Sequence, residues 1–359
     1  MTSKNFYEMI ELVAQERNLS VEDIMEKVSI ALKKACALEG FTGDVVVEFI
    51  PEKKKIRAIE YKYVVDEIDP EGQVGQITLE EAKQIKERVR VGSTLRSEIN
   101  IEKQIGRKGA SQFKQLFTQG LKELGRKRAF EFFKERENEM ITARVNRVLD
   151  DAYILGIGMD YDAYMPKKEA LPTETLREGD NVKVYITKVE ETGKGPKVYV
   201  SRTNVGIVKR LFETIVPEVS DGTIEIVGMA RDAGSRTKVG VRSDNPNVDP
   251  KGACVGLQGN RIKQINNALN GERVDIFVWS DDPVQLIAQS ITPARAMSVL
   301  TFPELRQALI IVPDLQYSLA IGKAGQNARL ASQITGWKID IKDESTAYRE
   351  KIKFKINVL

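Results

Sequence analysis

A segment that occurs twice restricts the fold of this chain more than any other feature. Val255-Gly256-Leu257-Gln258-Gly259 opens a helical run, followed by Gly271 and then Val274-Asp275-Ile276. Ile321-Gly322-Lys323-Ala324-Gly325 opens another, followed by Gly336 and then Ile339-Asp340-Ile341. A glycine pair, a helix and an apolar-Asp-apolar strand recur in one order at nearly one spacing, which is the mark of a duplicated unit. A lone G-x-x-G would be weak, and the chain holds its own control. Gly106-Arg107-Lys108-Gly109 fits the same expression but lacks the downstream glycine and strand at the repeat spacing. It reads as a glycine turn at the start of a long helix.

The chemistry of the repeat is that of a nucleic-acid grip. Glycines let the backbone turn sharply and let a sugar-phosphate chain approach with no Cβ in the way. The helix behind the loop points free N–H groups and a partial positive charge at phosphate. This is how a KH domain clamps about four nucleotides, so the C-terminal half is expected to hold two tandem KH domains of the prokaryotic type. The expected RNA-binding residues are Gly256, Leu257, Gln258, Gly259, Arg261 and Lys263 in the first copy. In the second they are Gly322, Lys323, Ala324, Gly325, Gln326, Asn327 and Arg329. Lys323 suits phosphate as a point charge, and the two amides are candidates for reading base edges. Trp279 and Trp337 read as core or interdomain wedges.

Upstream of the repeat, the pattern is one of short strands separated by turn signals. Ile141–Leu149, Tyr153–Ile157, the alternation at Val182, Val184 and Ile186, and Lys197–Ser201 fit a five-stranded OB-type barrel. Such barrels stack bases on aromatics beside a basic groove, and Tyr153, Tyr161, Tyr164, Lys167, Lys168 and Arg202 fit that role or simply cover the barrel. Earlier still, Phe6, Met9, Ile10 and Val13 recur at helical spacing, and a second helical run follows Ser20. Asp44–Ile50 and Ile56–Val65 read as a hairpin, Thr78-Leu79-Glu80-Glu81 as a capping box, and a long helix is expected from about 109. The fold class is therefore multidomain α+β. The expected domains are an N-terminal α+β domain at 1–136, the barrel at 137–203, and KH domains at 204–281 and 282–359.

Composition excludes several classes of function. The chain has no histidine and two cysteines, Cys36 and Cys254, so histidine triads, zinc-protease motifs and a disulfide framework are ruled out. No catalytic residue, metal site or cofactor is expected, and the cysteines read as apolar packing in a reducing, cytoplasmic setting. No stretch approaches the roughly 20 apolar residues of a membrane span. A net charge of +3 says little, but Lys103, Arg107, Lys108, Lys114, Lys122, Arg126, Lys127, Arg128, Lys134 and Arg136 crowd one segment, read as a solvated helix face slightly ahead of a polyanion site. Gly322-Lys323 lacks the spacing of a phosphate-binding P-loop.

This order of domains resembles the NusA family of bacterial transcription factors. The resemblance is carried by Ser318-Leu319-Ala320-Ile321-Gly322-Lys323-Ala324-Gly325-Gln326-Asn327-Ala328-Arg329-Leu330-Ala331, by Asp249-Pro250-Lys251-Gly252-Ala253-Cys254-Val255-Gly256 and by Val198-Tyr199-Val200-Ser201-Arg202. It implies an N-terminal domain that binds RNA polymerase, and a barrel and KH domains that grip single-stranded nascent RNA. It further implies effects on pausing, termination and, with other Nus factors, antitermination, exerted by a monomer. A ribosome-associated assembly factor would share the RNA chemistry and differ in the partner of the N-terminal domain.

Overall fold

In the computed structural model, which describes residues 3–356 and 358, the N-terminal apolar spacing becomes two helices, α1 (Ser3–Arg17) and α2 (Val21–Leu38). Ser20 caps α2 by accepting the Asp23 N–H at 3.0 Å. The buried stripe Ile24, Val28, Leu32 and Ala35 follows the helical period. Strands β1 (Asp44–Ile50) and β2 (Lys55–Val65) pair antiparallel from Asp44↔Tyr61 to Ile50↔Lys55. β3 (Gln76–Thr78) joins β2 in parallel, and Thr78 and Glu81 form both bonds of a capping box that opens α3 (Leu79–Ile85). β4 (Thr94–Ile99) completes the sheet, followed by α4 (Ile101–Gln104) and the long α5 (Arg107–Lys134). Phe113, Phe117, Leu121 and Leu124 of α5 pack on the core around Ile10, Ile24 and Val28.

The long helix begins two residues before the expected start. The Glu39 carboxylate, just past α2, accepts the Gly109 N–H at 2.7 Å. A Cβ on Gly106 or Gly109 would come within 3.1 or 2.8 Å of that carboxylate. The glycines thus admit a negative charge to the positive end of a 28-residue helix.

By packing, residues up to Phe132 with Gly193–Gly195 form one compact unit, and Phe133–Thr192 with the chain from Pro196 onward forms a second. The second unit opens with β5 (Met140–Val148), β6 (Ala152–Gly156), β7 (Asp162–Pro166), β8 (Asn181–Thr192) and β9 (Gly195–Ser201), closed into a barrel in the order β5-β6-β7-β9-β8. Its interior is filled by Ala143, Val145, Leu155, Met165, Val184, Ile186, Val198 and Val200. The first KH copy follows as α6 (Gly206–Ile215), α7 (Pro217–Ser220), β10 (Glu225–Asp232), β11 (Arg236–Arg242), α8 (Pro250–Val255), α9 (Asn260–Ala268) and β12 (Arg273–Val278). The second copy is α10 (Pro283–Ser290), β13 (Ser298–Phe302), β14 (Gln307–Val312), α11 (Tyr317–Ile321), α12 (Gln326–Thr335), β15 (Lys338–Asp343) and α13 (Glu344–Arg349). In each copy the first two strands pair antiparallel and the last joins the second in parallel. The duplication seen in the sequence is therefore a duplication of topology.

The two copies share a core. Ala230 and Phe277 of the first pack against Leu286, Leu330 and Ile334 of the second, with Trp279 wedged among them. Gly228 and Gly240 make room for that indole, since a Cβ on Gly240 would lie 2.6 Å from it. Trp337 packs on the core of the second copy. Cys36 and Cys254 are fully buried, and burial pushes their thiols up to about 11 and about 12.

A buried lysine also joins the copies. Lys238 of β11 has no exposed surface; its ammonium donates to the Thr292 carbonyl at 2.7 Å and lies 3.6 Å from Asp275. Burial, against the pull of Asp275, brings its pKa from 10.5 down to about 8. Below pH 8 the lysine is charged in folded and unfolded chains alike, and the full cost of burying it is present. Between about pH 8 and 10.5 only the unfolded chain keeps the proton, so this group's contribution to stability rises with pH. Relative to Lys238→Met, the wild type should gain on the order of 3 kcal/mol between neutral pH and pH 10.5. Paired denaturation curves across that range check this, and a gap that does not change with pH would contradict it.

Candidate nucleic-acid interface

The two glycine loops have nearly the same backbone. In the first, Gly256 lies at φ 75°, ψ 171°, Gln258 at 53°, 25° and Gly259 at 73°, 21°. In the second, Gly322 lies at 75°, 171°, Ala324 at 52°, 31° and Gly325 at 73°, 12°. Glycine is required at the first position because a Cβ on Gly256 would meet the Arg261 side chain at 2.7 Å, and one on Gly322 would meet Asn327 at 2.9 Å. Gln258 and Ala324 take the left-handed conformation without glycine's exemption, at a cost of roughly 1–2 kcal/mol each. Both copies hold this strain at the same place in the loop.

The tips face solvent. Leu257 is 88% exposed, and Gln258, Lys323 and Ala324 are exposed as well. Helices α9 and α12 start directly behind them, and neither start has a side-chain cap. The first amides, those of Asn260 and Gln326, donate to the Leu257 and Lys323 carbonyls, and no side chain caps the turn that follows, whose amides can meet water or an anion. Among the described residues, Lys323 and Lys263 are exposed cations without an ion pair.

Other expected side chains are engaged elsewhere. Arg261 pairs with Glu218 at 2.9 Å and donates to the Ala253 carbonyl at 2.7 Å. Gln326 donates to Asp232 and Ser235 at 2.7 and 2.8 Å, and Arg329 pairs with Asp232 at 2.8 Å. These two residues tie the second loop to the β10–β11 turn of the first copy. Asn327 corrects the expectation that it reads bases: it is fully buried, and its amide donates to the Ile291 and Ala320 carbonyls at 2.9 Å each. Its task is to brace the loop from beneath.

Sequence reasoning missed the hub under that turn. Glu272 is fully buried and accepts both prongs of Arg231 at 2.9 and 2.8 Å, the Gly234 N–H at 2.8 Å and the Thr237 hydroxyl. In sequence it looks like one more polar residue in the turn Gly271-Glu272-Arg273.

Comparison with known proteins gives this architecture its relatives. Family models described as the NusA N-terminal domain, the NusA-like first KH domain and the NusA-like second KH domain match residues 5–127, 202–279 and 283–349. The transcription termination/antitermination protein NusA of Bacillus subtilis is 42% identical over 96% of this chain and 92% of its own length. The chain belongs to the NusA family. NusA of Halalkalibacterium halodurans is 40% identical over 96% of this chain and 90% of its own, and NusA of Thermus thermophilus 37% identical over 95% and 90%. The matched N-terminal domain does not favour the ribosome-associated alternative.

In this NusA family member the barrel separates the remaining expected residues. Lys167 and Lys168 are exposed on the turn after β7. Arg202 is a correction, because it is 4% exposed and is held by Glu174 through bonds of 2.8 to 3.0 Å. It also donates to the Lys183 and Ala268 carbonyls at 2.7 and 3.3 Å, so its guanidinium fastens the barrel to the first KH copy. Tyr153 is buried, and Tyr161 packs edge-on against Phe133. Among the described residues no helix is long and apolar enough to cross a membrane.

Proposed function

We propose that this chain is an RNA-binding transcription termination/antitermination factor that acts in the cytoplasm, as a monomer and without catalysing a reaction. Its N-terminal domain, residues 1–136, binds RNA polymerase. Its two KH loops hold single-stranded nascent RNA by main-chain amides and by Lys323 and Lys263. In concert with other Nus factors, that grip modulates pausing, termination and antitermination. The observation that carries the reading is the pair of strained, solvent-facing loops, each in front of an uncapped helix start. Family membership supports the choice of polymerase as the protein partner.

The test is copurification of the whole chain, with and without residues 1–136, combined with RNA binding across a salt series. Polymerase subunits should follow the whole chain and be lost on truncation, while RNA binding persists. RNA affinity should fall steeply with salt, and Lys323→Ala should lower the log–log slope by about 1. Recovery of ribosomal subunits in place of polymerase, or a flat salt response, would refute the reading.

A further inference from the structure

We propose that the outward face of the second KH sheet docks an amphipathic helix of a partner protein, one that carries a basic residue and two apolar residues one turn apart. The inference goes beyond the RNA reading and does not rest on it. The first copy shows what such a face is built to take. Val239, Val241, Val274 and Ile276 belong to its core, so Lys238, Asp275 and Phe277 alternate with them and leave by the opposite face. Helix α12 of the second copy lies on that face. Its Leu330 and Ile334 pack with Ala230 and Phe277, and its Arg329 pairs with Asp232 at 2.8 Å.

Strand register carries these positions onto the second sheet. The pairs Ala230↔Lys238 and Lys238↔Asp275 correspond to Leu300↔Leu309 and Leu309↔Asp340. Ala308, Ile310 and Ile341 belong to the core of the second copy, so Leu300, Leu309 and Asp340 leave by the face that corresponds to the one under α12. Asp232 is replaced by Phe302, which is 51% exposed, and Leu305 in the turn beyond it is 66% exposed. Leu300 and Leu309 are partly exposed. Among the described residues no helix follows α13 to take the place of α12.

Two observations select the occupant. The first is a contrast between helix and sheet. By their distance from Gly325 and Gly259, Arg329, Leu330 and Ile334 of α12 correspond to Lys263, Gln264 and Ala268 of α9. The α9 counterpart is polar, and Lys263 and Gln264 are exposed. The open sheet has instead kept leucine and phenylalanine, and an exposed apolar patch marks an interaction site. Head-to-tail stacking of a second copy would bring the polar α9 to this sheet, so the helix comes from a different protein. The second observation is charge. Asp275 is answered by Arg236 at 2.8 Å and Lys238 at 3.6 Å, whereas Gln307 and Leu309 stand at those positions beside Asp340. Among the described residues the Asp340 carboxylate has no ion pair and accepts the Ile341 N–H at 3.0 Å. Of the lysines two residues away, Lys342 is paired with Glu350 and Lys338 sits at the exposed start of β15. A helix laid over Asp340 needs a cation there, as a covered charge without a partner is costly. Apolar anchors one turn apart beside a basic residue meet both demands.

The experiment uses the full chain and, as probe, a fluorescent stapled peptide with the α12 sequence, residues 326–335. Fluorescence anisotropy should give a dissociation constant of about 50 µM or tighter. Phe302→Ser with Leu305→Ser should weaken binding about tenfold or more, and both side chains are exposed enough to leave the melting temperature unchanged. Arg329→Glu in the peptide should cost about tenfold, and Asp340→Lys in the protein should restore the loss. No binding at about 500 µM, or equal affinity for the serine variant, overturns the proposal. Displacement of the peptide by oligouridine would give the face to RNA, and a dimer dissolved by the serine changes would give it to a second copy; each also overturns it.

Discussion

Exchanging Lys323 and Ala324 for aspartate should weaken single-stranded RNA binding about a hundredfold or more, roughly 3 kcal/mol, and leave the melting temperature nearly unchanged. The two side chains are exposed at the loop tip, in front of the uncapped start of α12. Lys323 has no ion pair to lose there, so its removal disturbs nothing in the fold. Ala324 sits at φ 52°, a conformation that aspartate enters more readily than alanine. The variant therefore replaces a phosphate's counter-charge with two like charges while keeping the backbone. Filter binding or fluorescence anisotropy on the folded variant decides the matter. Affinity within a factor of two of wild type would mean that the second loop does not hold the strand.

Replacing Glu272 with leucine should destabilise the first KH copy by about 3–5 kcal/mol, because it leaves the Arg231 guanidinium buried without its anion. The same change strips partners from the Gly234 N–H and the Thr237 hydroxyl. The double variant Arg231→Met with Glu272→Leu should recover much of the loss, since a buried pair replaced whole by apolar groups is far less costly than a broken one. Urea denaturation of the three proteins measures both terms. A single-variant loss below about 1 kcal/mol would show that the network is slack.

Much of this fold was legible in the sequence, and the residues explain where legibility stopped. The hairpin Asp44–Ile50 with Lys55–Val65 and the capping box at Thr78 are written in contiguous residues, so local pattern suffices to find them. The start of α5 is not local. It depends on Glu39, 70 residues from Gly109 in the chain, and no window of pattern reading spans that distance. The glycine loops were legible because backbone shape confines those positions to glycine. The side chains beyond them were not, because their direction is set by partners on other elements. Asn327 looked like a reader of bases and is instead held inside by the Ile291 and Ala320 carbonyls. Arg202 looked like a basic groove residue, yet Glu174, 28 residues earlier, claims it.

Gln326 and Arg329 grasp Asp232 across the boundary between the two copies, and Trp279 fills the seam. These contacts tie the second glycine loop to the first copy, so the two tips are linked like the jaws of a caliper. If the proposed grip holds, a strand seized by both would have to cross one set gap, and slack or shortage between the gripped stretches would be penalised whatever letters they spell. What such a tool measures first is length.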